Sequence, residues 1–257
     1  MDGDEIMLEI NKLNVKIKDN GENILKDFSL NINDGEIHVI MGPNGTGKST
    51  LSKVIMGHYK YEVISGDIIF NGKKINKLTT DERAKLGLFL CMQDPTVIEG
   101  VSNSEFLKTA LGEITGEKVN LFSFIKGLES SMEEVSLDSS MLHRSLNSGF
   151  SGGEKKKNEI LQMKTLKPKF IILDELDSGL DVDSLRIICD NINSYIKDNP
   201  NTSILIITHY SKILEYLKPD FVHIMMNGNI KQTGDLELSK KIEKYGYSII
   251  SENDKDE

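Results

Sequence analysis

The sequence predicts a single α/β domain in which a doubly wound core carries antiparallel strands toward its N-terminal side and a helical insertion in its middle. Three observations carry this expectation. Apolar and polar residues alternate through the first thirty or so positions, an apolar strand then runs into a glycine-rich turn, and beyond residue 165 apolar strands alternate with helical segments.

Size and composition narrow the classes. A chain of 257 residues suits one large α/β domain with an insertion, expected over residues 1–250. Hydrophobic content of 38% and charged content of 28% are those of an ordinary globular protein, and no apolar run approaches the roughly 20 residues that cross a bilayer, so direct membrane insertion is not expected. A formal charge of -9 argues against nucleic acid as a partner. Cys91 and Cys189 lie far apart and form no CxxC pair, which points to two reduced thiols in or near the core. The start MDGDEIMLEI is acidic and has no secretory pattern, so no targeting peptide is expected there.

In chain order, Leu8, Ile10, Leu13, Val15 and Ile17 followed by Asn20-Gly21 read as an antiparallel strand pair. Phe28, Leu30 and Ile32 form the next run, ending at Asp34-Gly35. Ile37–Met41 is nearly continuous in apolar character, as for a strand covered on both faces. A hairpin is expected around Asp67 to Phe70 with Asn71-Gly72 as its turn. From about Pro95 the pattern becomes helical with no strong strand signal to Gly149, and the inserted helical portion is expected over about 95–165. Strand Phe170–Leu173, a helix from about Val182 to Ile196, and strands Ile204–Ile207 and Val222–Met225 restore the α/β rhythm. Residues 251–257 are polar and mostly acidic and are expected to be a disordered tail.

Gly42-Pro43-Asn44-Gly45-Thr46-Gly47-Lys48-Ser49-Thr50 fits the phosphate-loop pattern and lies between a buried strand and a helix, where that pattern works. The glycines let backbone N–H groups turn toward one oxyanion, the helix directs its positive end at it, and Lys48 adds a full charge. Ser49 offers a hydroxyl to Mg²⁺, a hard ion that prefers oxygen. Asp174-Glu175 places two carboxylates at the carboxyl end of a strand. Asp174 suits Mg²⁺, and Glu175 suits orienting and deprotonating an attacking water. Ser151-Gly152-Gly153-Glu154 has two readings: a capping box for the helix it opens, or a set of N–H groups presented to the γ-phosphate of a neighbouring copy's ATP.

Together these residues resemble the ATP-binding-cassette family from about Leu8 to Tyr247. The resemblance implies a RecA-like phosphate-loop core with an N-terminal antiparallel β subdomain and an inserted α-helical subdomain. It also implies Mg²⁺-dependent ATP hydrolysis by a transient homodimer. Gln93 falls where the family has a glutamine that joins core to insertion and senses Mg²⁺ and γ-phosphate. Ser178-Gly179-Leu180-Asp181 resembles the loop that crosses the dimer seam, and His209 the histidine that contacts γ-phosphate. Phe150 stands where the family signature has leucine. The aromatic that commonly stacks on adenine has no counterpart in Val15-Lys16-Ile17-Lys18, so an aliphatic contact from Ile17 or Val15 is expected, with loose base selectivity that admits GTP.

Longer strings resemble the SufC subfamily, the ATPases of the SUF iron–sulfur cluster assembly system. They are Ile37–Met41 with Leu51–His58, Phe150–Met163, Leu173–Asp181 and Ile207–Tyr210. Lys157 departs from the usual arginine, and Asp94 from the tyrosine common after the glutamine. By this resemblance the partners are the scaffold proteins SufB and SufD. The competing expectation is the nucleotide-binding subunit of a membrane transporter, which shares every ATP-site motif. The lysine-, asparagine- and isoleucine-rich composition resembles that of AT-rich genomes. With the subfamily resemblance, it places the expected compartment in a parasite plastid (apicoplast) stroma, with a bacterial cytoplasm as the alternative.

Overall fold

Strand β1 (Ile6–Ile17) turns at Asn20-Gly21 and pairs antiparallel with β2 (Asn23–Asn33). Strict alternation would flip Leu13 and Val15 outward after Ile10. A register shift between Ile10 and Leu13, with Lys12 at φ 44° and Asp27 at φ 48°, restores the phase, and Leu8, Ile10, Leu13 and Val15 are all buried. The computed structural model describes residues 5–209 and 211–253.

Next come β3 (Ile37–Met41), α1 (Lys48–Ile55) and β4 (Tyr61–Phe70), which pairs with the other side of β1. Asn71 at φ 47° and Gly72 at φ 70° form the expected turn into β5 (Lys73–Lys74), completing a four-stranded sheet in the order β2-β1-β4-β5. Helix α2 (Thr80–Leu86) opens on a Thr79/Glu82 capping box and ends at Gly87, from which β6 (Leu88–Cys91) enters the core.

The insertion holds α3 (Asn103–Thr115) and α4 (Leu121–Glu134), capped by Ser102 and Asn120, then a 3-10 turn at Ser139–His143 and α5 (Gly152–Leu166). It is not purely helical. A strand β7 (Ile98–Ser102) pairs with β8 (Ser145–Leu146), which corrects the reading of a helical insertion where the sequence shows no strong strand signal. Ile98 meets Leu146 across most of the insertion, a pairing that local periodicity does not reveal.

The core resumes with β9 (Phe170–Asp174), α6 (Val182–Asp198), β10 (Ser203–Ile207), α7 (Lys212–Leu217), β11 (Phe221–Met226), β12 (Asn229–Gly234), α8 (Leu236–Tyr245) and α9 (Ser248–Asn253). The six-stranded sheet runs β12-β11-β3-β10-β9-β6, parallel except for the edge pair β11-β12. Its central strands are apolar throughout because both faces are covered. Ile171, Leu173, Ile204 and Ile206 pack toward the helices of the insertion and α6, while Phe170, Ile172, Leu205 and Ile207 pack toward the antiparallel sheet and α1.

At the C-terminal side, Ser251–Asn253 continue α9 rather than beginning a disordered tail, and 254–257 lie outside the described residues. Both cysteines are buried and free. Burial pushes the Cys189 thiol up to about 12 and Cys91 well above its ordinary value, so both stay protonated. Among the described residues no helix is long and apolar enough to cross a membrane.

Candidate active site

Strand β3 delivers the chain into the loop 42–47, with Asn44 and Gly45 exposed at its tip and Lys48 buried at its base. Two glycines are structurally required. A Cβ on Gly42 would stand 2.1 Å from the Met225 carbonyl oxygen, and Gly47, the N-cap of α1, takes φ 100°. Thr46 Oγ1 donates to the Pro43 carbonyl at 3.0 Å, closing the loop. Lys48 Nζ donates to the carbonyls of Gly42 (2.8 Å) and Pro43 (2.9 Å), so its ammonium is held in the mouth of the loop. Burial lowers its pKa, partly offset by Glu175 and Asp174. Ser49 and Thr50 follow in the first turn of α1, half-buried.

Asp174 ends β9 and is almost wholly buried. Its carboxylate accepts from Ser49 Oγ (3.1 Å) and Ser52 Oγ (2.7 Å). Burial raises its pKa, while the two serine hydroxyls stabilise the charged form. Among the described residues no cluster of three or more His, Cys, Asp or Glu could hold a metal through protein ligands alone. The oxygens of Ser49, Asp174 and the Gln93 amide instead fit Mg²⁺, which retains water and takes phosphate oxygens as further ligands.

Glu175 stands one residue beyond the strand at φ 49°, a left-handed conformation that costs a glutamate of order 1 kcal/mol and is held here by its N–H bond to the Ile207 carbonyl (2.8 Å). That conformation turns its side chain between two partners. Gln93 Nε2 donates to Oε2 at 2.5 Å, and His209 Nε2 lies 3.0 Å from Oε1. Three separate segments converge here: the exit of β6, the end of β9 and the end of β10. The carboxyl edge of a parallel sheet is where open α/β folds bind ligands.

The remaining expected residues do not join this cluster within one copy. Ser151 caps α5: its hydroxyl accepts from the Glu154 N–H (3.3 Å), and Glu154 Oε2 accepts from the Ser151 N–H (2.7 Å). The capping-box reading therefore holds, and Ser151 and Gly152 are exposed at the end of that helix, with Gly153 half-buried beside them. Asp181 caps α6 through the Ser184 N–H (2.7 Å). A Cβ on Gly153 would come within 3.7 Å of Ser184 Oγ and 3.9 Å of Leu180, so the two caps lie side by side. Of the two residues expected against adenine, Val15 is fully buried in the antiparallel sheet and is not available to a base, whereas Ile17 is half-buried.

Residues 25–178 match the family model for ABC transporter. The chain belongs to the ATP-binding-cassette family. It is 49% identical over 253 residues to a Pyropia yezoensis protein named probable ATP-dependent transporter ycf16, covering 96% of this chain and 99% of that one. It is 47% identical over 247 residues to Vegetative protein 296 of Bacillus subtilis, covering 95% and 93%. Among solved structures, the dimeric bacterial cassette MJ0796 superposes with a TM-score of 0.78 at 21% identity over 90% of this chain and 99% of that one, a likeness of fold.

Within this cassette the sequence reading missed Ser52 and Asp177. Ser52 lies three residues after Ser49, on the same face of α1, and that spacing was the available signal. Asp177 is half-buried beside Glu175 and accepts from Thr208 Oγ1 at 3.0 and 3.2 Å, which ties the segment after β9 to the end of β10. Burial raises its pKa.

Proposed function

We propose that this cassette hydrolyses ATP to ADP and phosphate, with Mg²⁺ as cofactor, in a transient homodimer whose two copies close head to tail. The observation that carries this reading is the Glu175 carboxylate held between Gln93 and His209 beside the Lys48 and Ser49–Asp174 pairs. In it, backbone N–H groups of 42–47 and the N-terminus of α1 receive the phosphates, and Lys48 exchanges its carbonyl partners for phosphate oxygens. Ser49, Asp174 and Gln93 would hold Mg²⁺, which would supply charge neutralisation to the phosphates. Glu175 orients water and takes its proton as the oxygen attacks the γ-phosphorus and the bond to the bridging oxygen of ADP breaks. His209 holds Glu175 and contacts the γ-phosphoryl oxygens.

Ser151, Gly152 and Gly153 serve the neighbouring copy. In one copy Ser151 is exposed and occupied only with its own cap, as expected of a group whose ligand arrives from another chain, and Asp181 beside it belongs to the same seam. The test is Glu175→Gln: phosphate release should stop while an ATP-bound dimer accumulates by size-exclusion chromatography. Unchanged release would refute Glu175 as base.

The strings Phe150–Met163 and Leu173–Asp181 support the finer reading that the cassette drives the SUF scaffold proteins SufB and SufD in a plastid stroma or a bacterial cytoplasm. The second reading, a nucleotide-binding subunit of a membrane transporter, is favoured by the names of relatives. A Streptococcus pyogenes protein 47% identical over 249 residues is called a probable ABC transporter ATP-binding protein. Co-purification decides between them, since recovery of a membrane permease in place of SufB and SufD would overturn the first.

A further inference from the structure

The segment carrying Gln93 is gripped by α5, the helix that opens at Ser151. Glu159 Oε1 accepts from the Met92 N–H at 2.7 Å, and Lys156 Nζ donates to the Met92 carbonyl. Both polar groups of one residue are thus held by side chains one helical turn apart. The Lys156 ammonium also lies 3.6 Å from Glu159 Oε2, and Lys155 Nζ lies 3.7 Å from Asp94 Oδ1, on the far side of Gln93.

This arrangement is costly for the fold. Glu159 and Lys156 are 2% and 3% exposed, in a helix whose neighbours Ile160, Leu161 and Met163 are core, and Glu159 Oε2 has no hydrogen-bond partner among the described residues. Burial pushes the Glu159 carboxyl up to about 7. A buried ion pair contributes little stability compared with apolar residues of the same volume, so packing does not account for it. What it does is fix the backbone on both sides of Met92. The next residue, its Cα about 3.8 Å further on, is Gln93, whose amide touches the Glu175 carboxylate.

We infer that Glu159 and Lys156 are positioning residues for Gln93, clamping Met92 so that the Gln93 amide stays against Glu175 and tying that contact to the helix that presents Ser151. The inference rests on the proposed ATP hydrolysis. Through the clamp, movement of α5 when Ser151 meets a neighbour's nucleotide is transmitted to Gln93 at this copy's own site. Displacements of about 1 Å at such a group are enough to change turnover roughly 100-fold.

Amide hydrogen exchange of the nucleotide-free chain reads the clamp directly. Glu159→Ala should speed exchange at the Met92 amide at least tenfold, with Tm followed in parallel, while Glu159→Gln, which keeps an acceptor for that N–H, should restore most of the protection. In steady-state assays Glu159→Ala should lower kcat roughly 10- to 100-fold with KM for ATP within about twofold of wild type. In a Gln93→Ala background the same change should cost nothing further. Unchanged Met92 exchange in Glu159→Ala overturns the inference, as do losses from Glu159→Ala and Gln93→Ala that multiply. Should Glu159→Ala fail to fold, Lys156→Met, which frees the Met92 carbonyl, takes its place in these comparisons, with Glu159→Gln kept as the conservative control. A wild-type chain that releases no phosphate defeats the ATPase reading instead, and the exchange experiment still decides the clamp.

Discussion

His209 Nε2 lies 3.0 Å from Glu175 Oε1, and the two residues extend from the carboxyl ends of β10 and β9, which are adjacent parallel strands. The pairing couples a group proposed to contact the γ-phosphate to the proposed base. His209→Ala should leave Glu175 able to accept a proton but free to rotate, lowering ATP turnover about 100-fold. Since His209 is proposed to act by holding Glu175, Glu175→Gln with His209→Ala should be no slower than Glu175→Gln alone. Phosphate release by the four proteins checks this, and multiplicative losses would show that the two side chains act independently.

Lys48 is buried with its ammonium on two loop carbonyls, so it is already in place before nucleotide arrives. Lys48→Ala removes a charge-assisted contact worth about 1.5–3 kcal/mol. Fluorescence titration with a labelled ATP should show affinity reduced by about 10- to 150-fold. Undiminished affinity would remove Lys48 from the phosphate site.

Ser52 is fully buried and donates to Asp174 Oδ2 at 2.7 Å. Ser52→Ala leaves one oxygen of a buried carboxylate without that donor, which costs about 1–3 kcal/mol of folding stability by urea denaturation. Mg²⁺-dependent turnover should fall as well, because Asp174 then holds only Ser49. A variant with wild-type stability would place Asp174 in contact with solvent donors instead.

The parts of this fold and site that were legible in the sequence are those written locally. Ile171, Leu173, Phe170 and Ile172 make an apolar run because both faces of β9 are covered, and residues 42–50 follow β3 with the spacing that phosphate binding needs. Val15 misled because its adenine contact was carried over from the family resemblance, whereas the register shift between Ile10 and Leu13 turns its side chain into the core. The β7-β8 pair joins residues separated by most of the insertion, and β8 is two residues long. Lys156 and Glu159 lie in a polar run that gives no sign of which members face inward, since only tertiary packing brings Met92 against them.

A buried histidine pair, His38 on β3 and His223 on β11, lies between half-buried Glu36 and exposed Thr233 and makes the fold sensitive to acid. His38 Nδ1 lies 2.9 Å from His223 Nε2, His38 Nε2 lies 2.9 Å from Glu36 Oε2, and His223 Nδ1 lies 2.8 Å from Thr233 Oγ1. Burial, then proximity to His38, pushes His223 down to about 4, and burial also lowers His38 despite Glu36 and Asp220. In the unfolded chain His223 takes up its proton near pH 6.5, whereas in the fold it does so only near 4. Between those values the unfolded state binds more protons. The stability that neutral His223 contributes is therefore intact above about pH 6.5 and is lost as pH falls toward 4, to the extent of about 3 kcal/mol. Urea denaturation at pH 7.5 and pH 5 should show a smaller loss on acidification for His223→Gln, which has no imidazole to protonate, than for wild type. The raised carboxyls of Asp174, Asp177 and Glu159 titrate with the opposite sign in both proteins and cancel in that comparison. An equal loss in the two proteins would show that His223 is already protonated in the fold at pH 5.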